Sequence, residues 1–97
     1  MSRLRWSQPA IEDVARLYRF LEEKSPEAAA RAAGAIREGV RILERQPQMG
    51  RPIEEMAIEF REWLIDFGRG AYVVLYHFDG AEVVILAVRH GREAGYS

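Results

Sequence analysis

Cysteine is absent from this 97-residue chain, which excludes disulfides and cysteine-ligated zinc and favours a reducing compartment. Histidine is scarce. His77 and His90 are the only two, and no second cluster of ligating residues lies near either, so no metal or cofactor is expected. No apolar run approaches the roughly 20 residues that span a bilayer, and no signal-peptide pattern opens the chain. A cytoplasmic protein without membrane contact is the expectation. Lysine is nearly missing too: of 14 basic residues only Lys24 is not arginine. Arginine brings a planar fork for carboxylate and phosphate, and a GC-rich genome would write the same excess. A large net charge is also lacking. At −1 the chain is no bulk electrostatic binder of nucleic acid, although residues 1–50 carry nine cations against seven acids and residues 51–97 five against eight. There is no phosphate-binding glycine loop, no zinc-protease helix motif and no nucleophile elbow.

What is present is an ordinary globular composition, 48% apolar, in a length suited to one domain spanning residues 1–97. Arg3-Leu4-Arg5-Trp6 alternates as a short strand. Ser7 is an N-cap candidate with Pro9 in the first turn and Glu12 and Asp13 near the positive end of the helix dipole. Ile11, Val14, Tyr18 and Leu21, with Leu17 beside them, recur at helical spacing. Ser25-Pro26 starts a second helix running to about Arg45, striped by Ala29, Ala32, Ala33, Ile36, Val40 and Leu43. The small residues suit close approach in an αα-hairpin. Its outer face holds Arg31, Arg37, Arg41 and Arg45. Residues 46–52 read as a loop. The period then changes to two: strands are expected over 60–66, 71–78 and 82–89, with turns at Gly68-Arg69 and Asp79-Gly80. The fold class is therefore α+β in the order β-α-α-β-β-β, an antiparallel meander with the first strand on one edge and the helical hairpin packed on one face.

A two-residue turn at Asp79-Gly80 sets Tyr76 opposite Val83 and Tyr72 opposite Ala87, on a face that continues to Arg89. The other face, with Val73, Leu75, Val84 and Leu86, is purely aliphatic and is expected under the helices. The tyrosine face would then need a cover: a partner, a substrate, the chain's own tail, or the loop around Met49 to Met56. Arg61, Trp63, Ile65 and Phe67 join the tyrosines if the turn at Gly68 is even and go under the helices if it has three residues. His77 is expected cross-strand from Glu82. Past the last strand come His90, Arg92 and Tyr96. These residue types cleave RNA without a metal: a base takes the 2′-OH proton, a cation stabilises the phosphorane and an acid protonates the leaving oxygen.

The chain resembles the RelE/ParE superfamily of toxins from bacterial type II toxin–antitoxin modules. The resemblance rests on an ordered series. It comprises Ser7 to Asp13 after the opening strand, Ser25-Pro26-Glu27-Ala28-Ala29, Leu43 to Arg51, Arg61, Ala71 to Tyr76, and Val84 to His90 with Arg92-Glu93. It implies the same β-α-α-β-β-β fold and an antitoxin whose C-terminal segment wraps and neutralises the toxin. Tyr72, Tyr76, Arg89, Arg92, Arg31, Arg37, Arg41 and Arg45 are candidate partner-binding residues. The ParE-like branch, which poisons DNA gyrase, is favoured. A RelE-like toxin commonly has a catalytic arginine where this chain has Val73, and lysines on the preceding strand, where this chain reads Phe60-Arg61-Glu62-Trp63-Leu64-Ile65. The alternatives are a ribosome-dependent mRNA endoribonuclease, with His90, Arg92, Tyr96 and Arg61 as catalytic residues, and an interaction module without toxic activity.

Overall fold

A computed structural model describes residues 1–93. The elements are β1 (Arg3–Trp6), α1 (Gln8–Glu22), α2 (Pro26–Val40), the short α3 (Ile42–Arg45), β2 (Arg51–Pro52), β3 (Phe60–Phe67), β4 (Gly70–Phe78) and β5 (Glu82–His90). Five strands form one sheet in the order β1-β5-β4-β3-β2. The α+β class, the meander of β3, β4 and β5 and the helical hairpin on one face are as expected. The opening strand does lie on an edge, but it runs parallel to β5, which makes the sheet mixed. A parallel neighbour needs a crossover, and the α1–α2 hairpin supplies it.

Both long helices begin where the sequence signals them. Ser7 Oγ accepts from the Ala10 amide at 3.2 Å, and Ser25 Oγ accepts from Ala28 at the same distance. Each is followed by a proline in the first turn, whose missing N–H costs nothing there. The second helix is interrupted at Arg41, so α2 ends at Val40 and α3 continues for a single turn. α1 also sits rotated from the expected stripe. Ile11 is 49% exposed, while Ala10, Asp13 and Leu17 face inward.

The core reverses the expected assignment of the sheet faces. Tyr72, Val74 and Tyr76 lie under the helices with Ile65, Val83, Ile85 and Val88, and Trp63, Phe67 and Phe78 pack against them. Alanines at 29, 32 and 33 leave room between helix and sheet, and bulky strand residues fill it to the density a core requires. The aliphatic set faces away, with Leu64 42% exposed. The β3–β4 turn is even: Phe67 pairs with Gly70 across Gly68-Arg69, and Gly68 takes φ 60°, where a side chain would be strained. Trp63, Ile65 and Phe67 therefore join the tyrosines.

The last hairpin departs from the simple turn. Phe78 pairs with Val83, leaving four residues in the connection, and Asp79 Oδ1 accepts from the amides of Ala81 and Glu82 at 2.9 and 2.8 Å. His77 consequently pairs with Val84 rather than Glu82 and stacks edge-on against Phe60, ring centres 5.0 Å apart. A register shift follows: Tyr76 pairs with Ile85 and Leu75 with Ala87, so Leu86 is an extra, bulged residue.

Candidate functional site

The bulge decides what stands at the end of the sheet. An unbroken ladder from the Tyr76–Ile85 pair would bring Arg89 opposite Tyr72. With one residue inserted, Tyr72 faces His90 and Arg89 falls opposite Val73 on the other face. α1 holds the bulge in place. Ser7 Oγ donates to the Leu86 carbonyl at 3.2 Å, and the buried Asp13 carboxylate accepts from the Val88 amide at 2.9 Å. Asp13 is thus spent on the backbone of β5 rather than on the dipole of its own helix.

His90 lines a cleft of about 840 Å³ between α1, the β3–β4 turn and the start of the tail. The Tyr72 ring meets the imidazole edge-on at 5.6 Å and lies 5.9 Å from Phe67. His90 Nδ1 accepts from the Arg92 amide at 3.1 Å, which places the ring proton on Nε2. Glu93 folds back over this end. Its carboxylate accepts from the His90 amide at 2.7 Å and from Arg16 at 3.1 Å, and its carbonyl accepts from Arg89 at 3.0 Å. Leu17, Leu21 and Phe67 give the cleft apolar walls, and Arg16, Lys24, Arg69 and Arg92 give it positive charge. Burial holds the Tyr72 phenol above the usual tyrosine range.

The expected site residues separate into distinct places. His90, Arg92 and Tyr72 come together in the cleft. Arg89 leaves on the opposite side and ties down the chain reversal, donating to the carbonyls of His90 and Glu93. Arg61 stands across from Tyr76, far down the ladder, and donates to the Gln48 and Gly50 carbonyls at 3.3 and 2.8 Å. Tyr76 is fully buried rather than open to a partner. Its hydroxyl donates to the Pro47 carbonyl at 2.7 Å and accepts from the Gly50 amide at 2.9 Å. A Cβ on Gly50 would come within 2.6 Å of that hydroxyl, so the latch needs glycine. Arg31, Arg37, Arg41 and Arg45 are exposed; Arg41 pairs with Glu38 at 3.1 Å, and Arg37 borders a groove of about 340 Å³ with Trp6, Ile11 and Val14. Tyr96 lies outside the described residues.

Two features escaped the sequence reading. Arg16 and Phe20 on α1, with Lys24 in the turn just past it, are spaced by four residues and line the cleft together, a signal present in the spacing. Asp13 has no such signal, because nothing local announces that a carboxylate will meet a bulged amide on a strand 75 residues away. Among the described residues no cluster of three potential ligands could hold a metal, and no helix is long and apolar enough to cross a membrane.

The family model described as the ParE toxin of the type II toxin-antitoxin system, parDE, matches residues 4–95. This chain belongs to the ParE toxin family. Its relatives cross the branch names of the superfamily. Toxin RelE1 of Caulobacter vibrioides is 34% identical over 84 residues, covering 87% of both chains, and Toxin RelE3 of the same organism is 32% identical over 84 residues, covering 87% of this chain and 88% of its own. The fold matches a chain of the chromosomal ParDE system from P. aeruginosa with TM-score 0.72 at 23% identity, over 93% of this chain and 96% of that one. A chain of the toxin-antitoxin complex RelBE2 from Mycobacterium tuberculosis gives 0.60 at 25% identity, over 92% and 96%. As a member of this family the chain is the toxin component of a RelE/ParE-type toxin–antitoxin module.

Proposed function

We propose that this ParE-family chain arrests growth by inhibiting DNA gyrase and is held inactive by a cognate antitoxin. The observation that carries the gyrase reading is the state of Arg61 and Val73. The arginine that a nuclease would aim at a phosphate is spent on two loop carbonyls, and the strand position where RelE-like toxins commonly carry a catalytic arginine holds a buried valine. The aliphatic face around exposed Leu64 and half-buried Leu75 and Val84 suits protein contact better than a polyanion. The antitoxin reading rests on the solved ParDE and RelBE2 assemblies of similar fold and on the groove at Trp6, Ile11 and Val14, where Arg37 offers a partner for an acidic residue of an amphipathic segment.

A second reading, the ribosome-dependent mRNA endoribonuclease, is favoured by one observation: His90 and Arg92 share a cleft with an Nε2–H available to a ligand. Induction in a bacterium, with DNA breaks and mRNA integrity followed in parallel, separates the two. Early DNA damage with intact mRNA is the expected outcome. Rapid mRNA loss with whole DNA overturns it. Hydrogen exchange on antitoxin addition is expected to protect the helical hairpin; no protection there removes the groove from the antitoxin contact.

A further inference from the structure

The cleft beside His90 carries more charge and more rings than the toxin reading uses. Lys24, Arg69 and Arg92 form no ion pair among the described residues. Among the described residues the one acid lining the cleft is Glu93, and its carboxylate is taken up by Arg16 and the His90 amide. In a chain of net charge −1 this is a local excess of positive charge, set against the apolar walls of Leu17, Leu21 and Phe67, where a field is focused rather than screened. One wall presents the Phe67 and His90 rings, backed by the buried Tyr72 ring with centres 5.9 and 5.6 Å from theirs. A Cβ at Gly70 would come within 3.3 Å of His90 Nε2, so glycine there lets the imidazole lie along that wall. Phe20 stands 60% exposed at the rim, with the Lys24 ammonium 4.7 Å from its ring centre.

The geometry points to this cleft as a binding site for a nucleoside di- or triphosphate, with its base on the aromatic surfaces and its phosphates on Arg69, Arg92 and Lys24. Rings and cations then serve two parts of one ligand. Every base has a face that stacks on an aromatic ring, and the arginine fork matches a phosphate in a way a point charge does not. A volume of about 840 Å³ falls in the range of compact-ligand sites, about 300–1,000 Å³. The Arg16–Glu93 bridge joins α1 to the chain beyond β5 across this region, which suits a compact ligand better than an extended acidic peptide. The same chemistry is presented by a free nucleotide and by a 5′-triphosphorylated RNA end.

The test is a titration of the full chain, followed by backbone amide shifts, with ATP, adenosine, tripolyphosphate, a short RNA with and without a 5′-triphosphate, and a peptide of alternating Glu and Leu. ATP is expected to bind with a Kd below about 1 mM, at least about tenfold more tightly than adenosine or tripolyphosphate, moving amides between 67 and 72 and between 90 and 93. Arg69→Glu and Arg92→Glu, both at exposed positions, should each weaken ATP by about tenfold or more with circular dichroism unchanged. Phe20→Ala should weaken ATP and leave tripolyphosphate unaffected. Preference for ATP over both RNAs identifies a free nucleotide as the source; preference for the triphosphorylated RNA over ATP and over its unphosphorylated form identifies the strand end. Tripolyphosphate binding as tightly as ATP, the peptide binding more tightly than ATP, or no shift at these amides at millimolar ATP would overturn the proposal.

Discussion

Tyr76 and Tyr72 sit four residues apart on one strand and one face, yet they meet opposite surroundings. Tyr76 is sealed, and both hydrogen-bonding directions of its hydroxyl are used by the loop at Pro47 and Gly50, with Arg61 bracing the same loop. Tyr72 has its ring in the core, but its hydroxyl makes no hydrogen bond among the described residues and its ring forms the wall of a cleft. One end of the β4 ladder is closed by its own loop; the other is concave and charged. A small fold that must be both stable and reactive toward another molecule separates the two tasks along a single strand.

The largest effect should come from breaking the closed end. Tyr76→Phe leaves the buried Gly50 amide and the Pro47 carbonyl without their partner, a loss of about 1–3 kcal/mol in chemical denaturation. The same change alters the alkaline limb of stability. Burial pushes the Tyr76 phenol above its ordinary value, against the pull of the Gly50 amide and the Arg61 charge. A raised phenol favours the neutral folded form. Its contribution is therefore complete below about pH 10 and fades as pH rises from there through the folded value. The phenylalanine variant should lose stability less steeply above about pH 10.

Next in size is the bridge that sets the register of the open end. Asp13→Ala leaves the buried Val88 amide unsatisfied and should cost about 1–3 kcal/mol, with amide shifts concentrated in residues 86–90. Asp13→Asn keeps an acceptor and should recover most of that loss. Equal losses in the two variants would show that the carboxylate charge beside Arg16, not the bulge, is what matters.

Tyr72→Phe sharpens the comparison by its mildness: a stability change within about 0.5 kcal/mol is expected from the same denaturation experiment. His90→Ala and Arg92→Ala should likewise leave the fold intact and weaken growth arrest only by degrees at matched expression, because a protein interface spreads its energy over several contacts. Abolished toxicity and abolished mRNA decay in folded His90→Ala would instead mark a proton-transferring group. The smallest effect lies in the distal turn. The amides of Glu82 and Ala81 hold the Asp79 carboxyl below its ordinary value. A lowered carboxyl stabilises the fold above the unfolded pKa, and that contribution is lost as pH falls through the folded value. Asp79→Asn should therefore lower stability slightly at neutral pH, with the difference closing as pH falls through the folded value, so that the acid limb of a thermal melt is flatter.

Much of this was legible from local signals. Ser7 and Ser25 with their prolines place two helix starts, and alternation from Phe60 onward places three strands, because caps and period are properties of a few adjacent residues. The helix stripes were legible less well. Ile11 satisfies the apolar spacing and still faces solvent, since it stands at the margin of the stripe that Ala10, Val14, Leu17 and Leu21 turn inward, and spacing alone does not say where that stripe is centred. The candidate cleft was half visible. His90 and Arg92 were marked by their place after the last strand, whereas Arg16, Lys24 and Arg69 come from two other parts of the chain and looked like ordinary surface charge.

By itself the sequence determined the order of the main elements, the places of the two turns, the starts of the two long helices and the family to which the chain belongs. Each of these is written in nearest neighbours or in an ordered series of them. Only the tertiary structure decided which face of the sheet went under the helices and which of Arg89 and His90 entered the cleft. The first depended on volume, because the alanine-rich α2 accepts the bulkier face. The second depended on one extra residue at Leu86, held by Ser7 and Asp13 from the far end of the chain. A strand's side chains alternate with period two, so a single inserted residue exchanges everything beyond it between faces, and no local pattern records the insertion.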